Sequence, residues 1–106
     1  MRKTALILRV KARPGRREEL RALWDEHLRP RADANPAQEL YLYCYDADDP
    51  DTIHMVEIYG DRDAMAANAS APWFGEYMRA AAPLIDGRPE MITAEPVWAK
   101  GYALGA

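Results

Sequence analysis

The side chains in this 106-residue sequence that could do chemistry are few and spread along it. There are two histidines, His27 and His54, and one cysteine, Cys44. His27 falls at helical spacing among apolar residues and is a candidate general base. Glu57 sits inside the stretch "HMVEIYGDRDAM", which otherwise reads as a buried strand running into a helix. A carboxylate there must be held by hydrogen bonds or carry a raised pKa. Asn68 is a candidate donor to a developing oxyanion. Tyr41, Tyr43, Tyr59, Trp73, Phe74 and Tyr77 can supply aromatic walls and phenolic hydrogen bonds. Together these are parts for taking a proton from a flat, mostly apolar molecule with one or two oxygens. Each also has a plain structural role. The aromatic residues at 73, 74 and 77 are at core spacing, Asn68 can end a helix, and tyrosines suit strands.

A lone cysteine forms no internal disulfide and no CxxC pair, and neither HExxH nor HxH occurs. No structural metal site is expected. The net charge of −3 argues against a nucleic-acid partner, whose binders carry a basic face. The start, "MRKTALILRVKARPG", has an apolar run only from Ala5 to Leu8, broken by Arg9 and Lys11. It reads as a first strand and not as a signal peptide. No run approaches the roughly 18 apolar residues of a membrane span. A cytoplasmic protein with no membrane partner is expected. Apolar residues make up 49% and charged residues 29%, an ordinary globular balance. The length suits one domain over residues 1–106, with a core of about 4–99 and a short tail, 100–106.

The elements that must position these residues follow from periodicity. Thr4–Ala12 reads as a strand ended by "RPG". A helix is predicted from about Arg16 to Asp33, with Leu20, Leu23, Trp24, His27, Leu28 and Arg31 on one face and Pro30 kinking or ending it. "ELYLYCY" (39–45) alternates strictly and predicts a second strand. "DADDPDT" (46–52) is a hairpin loop, and Ile53–Tyr59 is a third strand. Asp61 is placed to cap a helix to about Ala69. After an interruption at "SAP" (70–72), helix resumes from Trp73 to about Ala82, with Ser70 expected to cap it. A last strand is predicted at about Glu90–Ala99, with Pro96 at an edge or bulge.

This order predicts an α+β fold, the ferredoxin-like split βαβ arrangement with a four-stranded antiparallel sheet. A regular hairpin would pair Tyr45 with Ile53, Tyr43 with Met55 and Tyr41 with Glu57. Tyr41, Tyr43, Tyr45, Met55, Glu57 and Tyr59 then share one face, and a ligand pocket is expected inside each subunit, between that face and the helices. Leu40, Leu42, Cys44, His54, Val56 and Ile58 share the other. Helices can cover only one face, so the other is expected to pack on a second copy of the chain.

Four segments in this order resemble the antibiotic biosynthesis monooxygenase family of dimeric α/β-barrel proteins. They are "VKARPGRREEL", "DADDPDT", "VEIYGDRDAM" and "SAPWFGEYMRAAAPLI". The resemblance implies a homodimer whose sheets pair as a dimeric α/β barrel. It also implies oxidation of a small phenol, quinol or anthrone by dioxygen with neither metal nor flavin. Other members cleave haem, isomerise small sugars or have no known activity. The positions of the haem-cleaving residues are Leu8, Asn68 and Met78 here, and none matches. Tyr59 stands where a Trp often ends the third strand. Many relatives have His at the Asn68 and Trp73 positions. A non-catalytic small-molecule-binding or structural protein, or an isomerase, is therefore the alternative. An acidic residue at the Glu57 position occurs across members of different chemistry. A structural bond to a tyrosine, or to Arg31 or Arg79, thus stands beside the reading of Glu57 as a pocket base.

Overall fold

The computed structural model describes residues 2–102 and Leu104. Strand β1 (Thr4–Lys11) leads through the "RPG" turn into helices α1 (Arg17–His27) and α2 (Arg29–Ala34). The hairpin β2 (Gln38–Tyr45) and β3 (Thr52–Tyr59) follows, then α3 (Arg62–Ala69), α4 (Pro72–Ala81), a 3₁₀ turn and β4 (Glu90–Ala94). The sheet order is β2-β3-β1-β4, antiparallel throughout. This is the split βαβ arrangement read from the sequence.

The hairpin register is the expected one, with Tyr45 opposite Ile53, Tyr43 opposite Met55 and Tyr41 opposite Glu57. The loop that sets it is built on aspartates. Asp46 Oδ2 accepts from the backbone N–H groups of Asp48 (3.0 Å) and Asp49 (2.7 Å). Its other oxygen lies 2.6 Å from the His54 ring. These bonds hold the Asp46 carboxyl well below the usual carboxylate range, the His54 contact being the largest cause. His54, on the face away from the helices, is thus a partner of this loop. Gly15, at φ +77°, sits where an L side chain would be strained. Its N–H donates to Asp51 Oδ1 at 2.9 Å, which ties the β1–α1 turn to the same loop.

One register feature departs from strict alternation. A bulge between Gln38 and Leu40 sets Gln38 opposite Tyr59 while Leu40 faces Ile58. The extra residue, Glu39, turns the Gln38 side chain onto the helix-covered face.

Three element boundaries also differ. The single helix expected over 16–33 is two, because Pro30 cannot continue the α1 hydrogen-bond ladder and instead sits in the first turn of α2. Ser70 does not cap α4. Its hydroxyl donates back to the Ala66 carbonyl at 2.9 Å and so finishes α3. Ala71 takes the cap position of α4 without a side-chain bond. The last strand stops at Ala94, before Pro96. Of the tail, Lys100–Tyr102 and Leu104 are described, and the Tyr102 hydroxyl donates to Glu39 at 2.7 Å.

The core lies between the sheet and the α1/α4 pair. Leu20, Trp24 and Leu28 of α1 meet Tyr77 and Ala81 of α4 over Val10, Ile53 and Met55. The opposite sheet face has no cover among the described residues. There Leu42 is 51% and Ile92 60% exposed, with Ile7 and Val56 between them. Among the described residues no helix is long and apolar enough to cross a membrane.

Candidate functional site

Strand alternation places Met55, Glu57 and Tyr59 on the helix side of β3. The bulge brings Gln38 beside them. The Asp61 carboxylate accepts from the Ala64 N–H at 2.8 Å and starts α3, two turns before Asn68. These positions converge on one buried network. The Tyr59 hydroxyl donates to Glu57 Oε1 at 2.5 Å. Gln38 Nε2 donates to the same carboxylate oxygen at 2.8 Å and to the Tyr59 oxygen at 2.9 Å. Asn68 Nδ2 donates to the Tyr59 oxygen at 3.0 Å.

Glu57 is only 6% exposed. Burial raises its pKa, and the hydrogen bonds from Tyr59 and Gln38 oppose that rise. Burial likewise raises the Tyr59 pKa, with the nearby Glu57 charge adding to it. Among the described residues Glu57 has no cationic partner. Of the bonds considered from the sequence, the tyrosine one is present and those to Arg31 and Arg79 are not. The Arg31 guanidinium instead lies 5.6 Å from the centre of the Trp73 ring. Gln38, which sequence reasoning missed, supplies the second bond. Alternation alone puts it on the wrong face, and only the bulge reveals it.

A second aromatic group fills the space between the sheet and α1/α4. The Trp24 indole N–H donates to the Tyr41 hydroxyl at 3.0 Å. Its ring lies 4.4 Å from that of Tyr43 and 5.4 Å from that of Tyr41. Tyr77 completes this packing, and burial pushes its hydroxyl up to about 12. Phe74 and His27 flank Tyr77 at ring distances of 6.4 and 6.3 Å. The pocket expected between sheet and helices is therefore closed here, because four large rings occupy it.

Open space near these elements lies instead beside the end of the sheet. A cleft of about 390 Å³ lies between α2, the 34–37 connector, α3 and the start of α4. Of the residues singled out in the sequence, Asn68 and Trp73 line it. Tyr59 and Glu57 stand directly behind Asn68. Tyr41, Tyr43, Phe74, Tyr77 and His27 are not in its lining. Among the described residues Arg31 is its one charged lining residue, and alanines make up much of the rest. This size suits a small molecule, and an apolar wall with a few polar groups suits an aromatic one. Among the described residues no group of three or more His, Cys, Asp or Glu is placed to hold a metal.

A split βαβ sheet with one helix-covered face and one open apolar face defines the ferredoxin-like class. Within that class the family model for antibiotic biosynthesis monooxygenases matches residues 4–80, and the chain belongs to that family. Solved structures agree. A candidate antibiotic biosynthesis monooxygenase from Chloroflexus aurantiacus is 27% identical, with TM-score 0.78 over 97% of this chain and 99% of that one. A protein of unknown function from Nitrosomonas europaea is 25% identical, with TM-score 0.80 over 97% of each chain. A Caulobacter crescentus protein, another candidate monooxygenase of this kind, shares the fold at TM-score 0.85 and 17% identity, covering 92% of each chain. Curated proteins give no significant match.

Proposed function

We propose that the protein is a cofactor-independent monooxygenase that oxidises a small phenol, quinol or anthrone with dioxygen in the Asn68–Trp73 cleft, as a homodimer. The observation that carries this reading is the Asn68 amide. It lines an apolar cleft beside an aromatic wall and is bonded from behind to a buried tyrosine–carboxylate pair. For an anthrone the chemistry balances without another reductant. Loss of a proton gives an electron-rich carbanion that adds dioxygen. Loss of water then leaves a carbonyl where the CH2 stood, one oxygen atom entering the product and the other leaving in water. The protein's part is to hold the ring dry and to orient its oxygen.

A binding protein without chemistry is the second reading, and one observation favours it. His27 lies against Tyr77 and outside the cleft lining, and Glu57 is separated from the cleft by Tyr59 and Asn68. No base touches the cleft among the described residues.

Two variants separate a role in turnover from a role in folding. Asn68→Ala is expected to lower turnover about tenfold or more, because the ligand loses the hydrogen bond that orients it, while costing only about 1 kcal/mol of stability, the worth of one hydrogen bond. Trp73→Ala is expected to lower both, with a stability loss of about 1–3 kcal/mol because the ring is only partly buried. Oxygen-uptake rates and urea midpoints measured side by side check this. Equal stability losses in the two variants would contradict it.

A further inference from the structure

We propose that Tyr59 and Glu57 are positioning residues for the Asn68 amide. They turn its carbonyl oxygen, not its NH2, toward the cleft, so that the site reads a neutral hydroxyl donor on its ligand. This rests on the cleft being the ligand site.

The reasoning is an inventory of protons. A tyrosine hydroxyl has one hydrogen and two lone pairs. The Tyr59 hydrogen is committed to Glu57 Oε1, 2.5 Å away. That oxygen accepts whether or not the other carboxyl oxygen carries a proton. The Tyr59 oxygen can then only accept, and it does so from Gln38 Nε2 at 2.9 Å and Asn68 Nδ2 at 3.0 Å. Turning the Asn68 amide over would set its oxygen against an oxygen with no hydrogen to share. Gln38 is not free to turn in its place. Its Nε2 already bridges Glu57 and Tyr59, and its buried carbonyl oxygen has no partner among the described residues. Reversal would bury two N–H donors where one bare acceptor now sits, a worse arrangement.

Asn68 is the member of the network that also lines the cleft. With Nδ2 held inward, the planar amide carries Oδ1 away from Tyr59 and toward that space. The other amide in the lining, Asn35, has its Oδ1 occupied by the Ala37 N–H at 3.0 Å. The sequence reading gave Asn68 the opposite polarity, a donor to an oxyanion. The buried carboxylate behind it reverses that assignment. A phenol or quinol still carrying its O–H is the chemical class that fits an acceptor beside an aromatic wall.

The test uses the purified full chain and two probes of similar shape, 2-naphthol and 2-methoxynaphthalene, titrated at neutral pH. Wild type is expected to bind the naphthol about tenfold more tightly, the worth of one good hydrogen bond. Tyr59→Phe frees the amide and should bring the ratio close to one. Glu57→Leu, which returns the Tyr59 proton to the network, should do the same. Glu57→Gln keeps an acceptor at Oε1 and should restore the preference. Should the leucine variant fail to fold, NMR on wild type decides the orientation directly. An NOE is expected between the Asn68 side-chain NH2 and the Tyr59 ring hydrogens beside the hydroxyl. Absence of that NOE, or an unchanged preference in folded Tyr59→Phe, would overturn the proposal. Binding of neither probe would remove the cleft as an aromatic site, and the hydroxyl reading with it, leaving the NOE to decide the amide's orientation. Naphthol preference without oxygen uptake would instead defeat the oxidation reading and leave this one standing.

Discussion

Tyr59→Ala is expected to destabilise the protein by about 3–5 kcal/mol or more, a large part of the total for a domain of this size. Tyr59 is 1% exposed and among the largest fully buried side chains. Its removal leaves a cavity in the floor of α3. It also strands three polar groups at once, because Glu57, Gln38 and Asn68 all bond to its hydroxyl. Tyr59→Phe keeps the ring and should cost only about 1–3 kcal/mol, the price of the unmet partners. Guanidinium denaturation of the two variants checks the ordering, and equal losses would contradict it. Glu57 adds a pH signature. Burial raises its folded-state pKa, so its contribution is complete below the ordinary glutamate range and is lost as pH rises through the raised value. Glu57→Gln should therefore gain on wild type in stability from acid toward neutral pH, whereas parallel profiles would count against a buried, desolvated carboxyl.

Val56→Glu is expected to abolish dimerisation. Val56 lies at the centre of the open sheet face, level with Leu42 on β2 and Ile7 on β1. If two such faces meet, the substitution buries an unpaired charge in each half of the interface. That costs several kcal/mol, or upwards of a hundredfold in dissociation constant. An interface of this kind buries more than about 1,200 Å². Sedimentation at micromolar concentration should show a wild-type dimer and a monomeric variant. A stable wild-type monomer would reject the homodimer, and with it the expected pairing of two sheets into a barrel.

Much of this architecture was legible because local signals agreed. The aspartate-rich loop and the alternation of "ELYLYCY" set the hairpin register, and that register places Glu57 on the helix side opposite Tyr41. What stayed hidden depends on tertiary detail. A straight alternating strand and a bulged one read alike, so Gln38 was not seen as the partner of Glu57. Ser70 has the chemistry of a helix cap, but its hydroxyl reached an α3 carbonyl first. Tyr41, Tyr43 and Tyr77 were foreseen as pocket walls, yet they pack with Trp24 in the core. Composition cannot tell a wall from a filling. The cleft instead opened where alanines of α3 and the connector leave room.

The most direct test of the central claim is oxygen uptake by the purified protein with hydroquinones, naphthoquinols and anthrones, run beside Asn68→Ala. The cleft reading requires uptake with at least one of them well above its spontaneous autoxidation, falling about tenfold or more in the variant as the bound ring loses its orienting contact. Uptake no faster than in buffer for every compound, or uptake undiminished in Asn68→Ala, would contradict it.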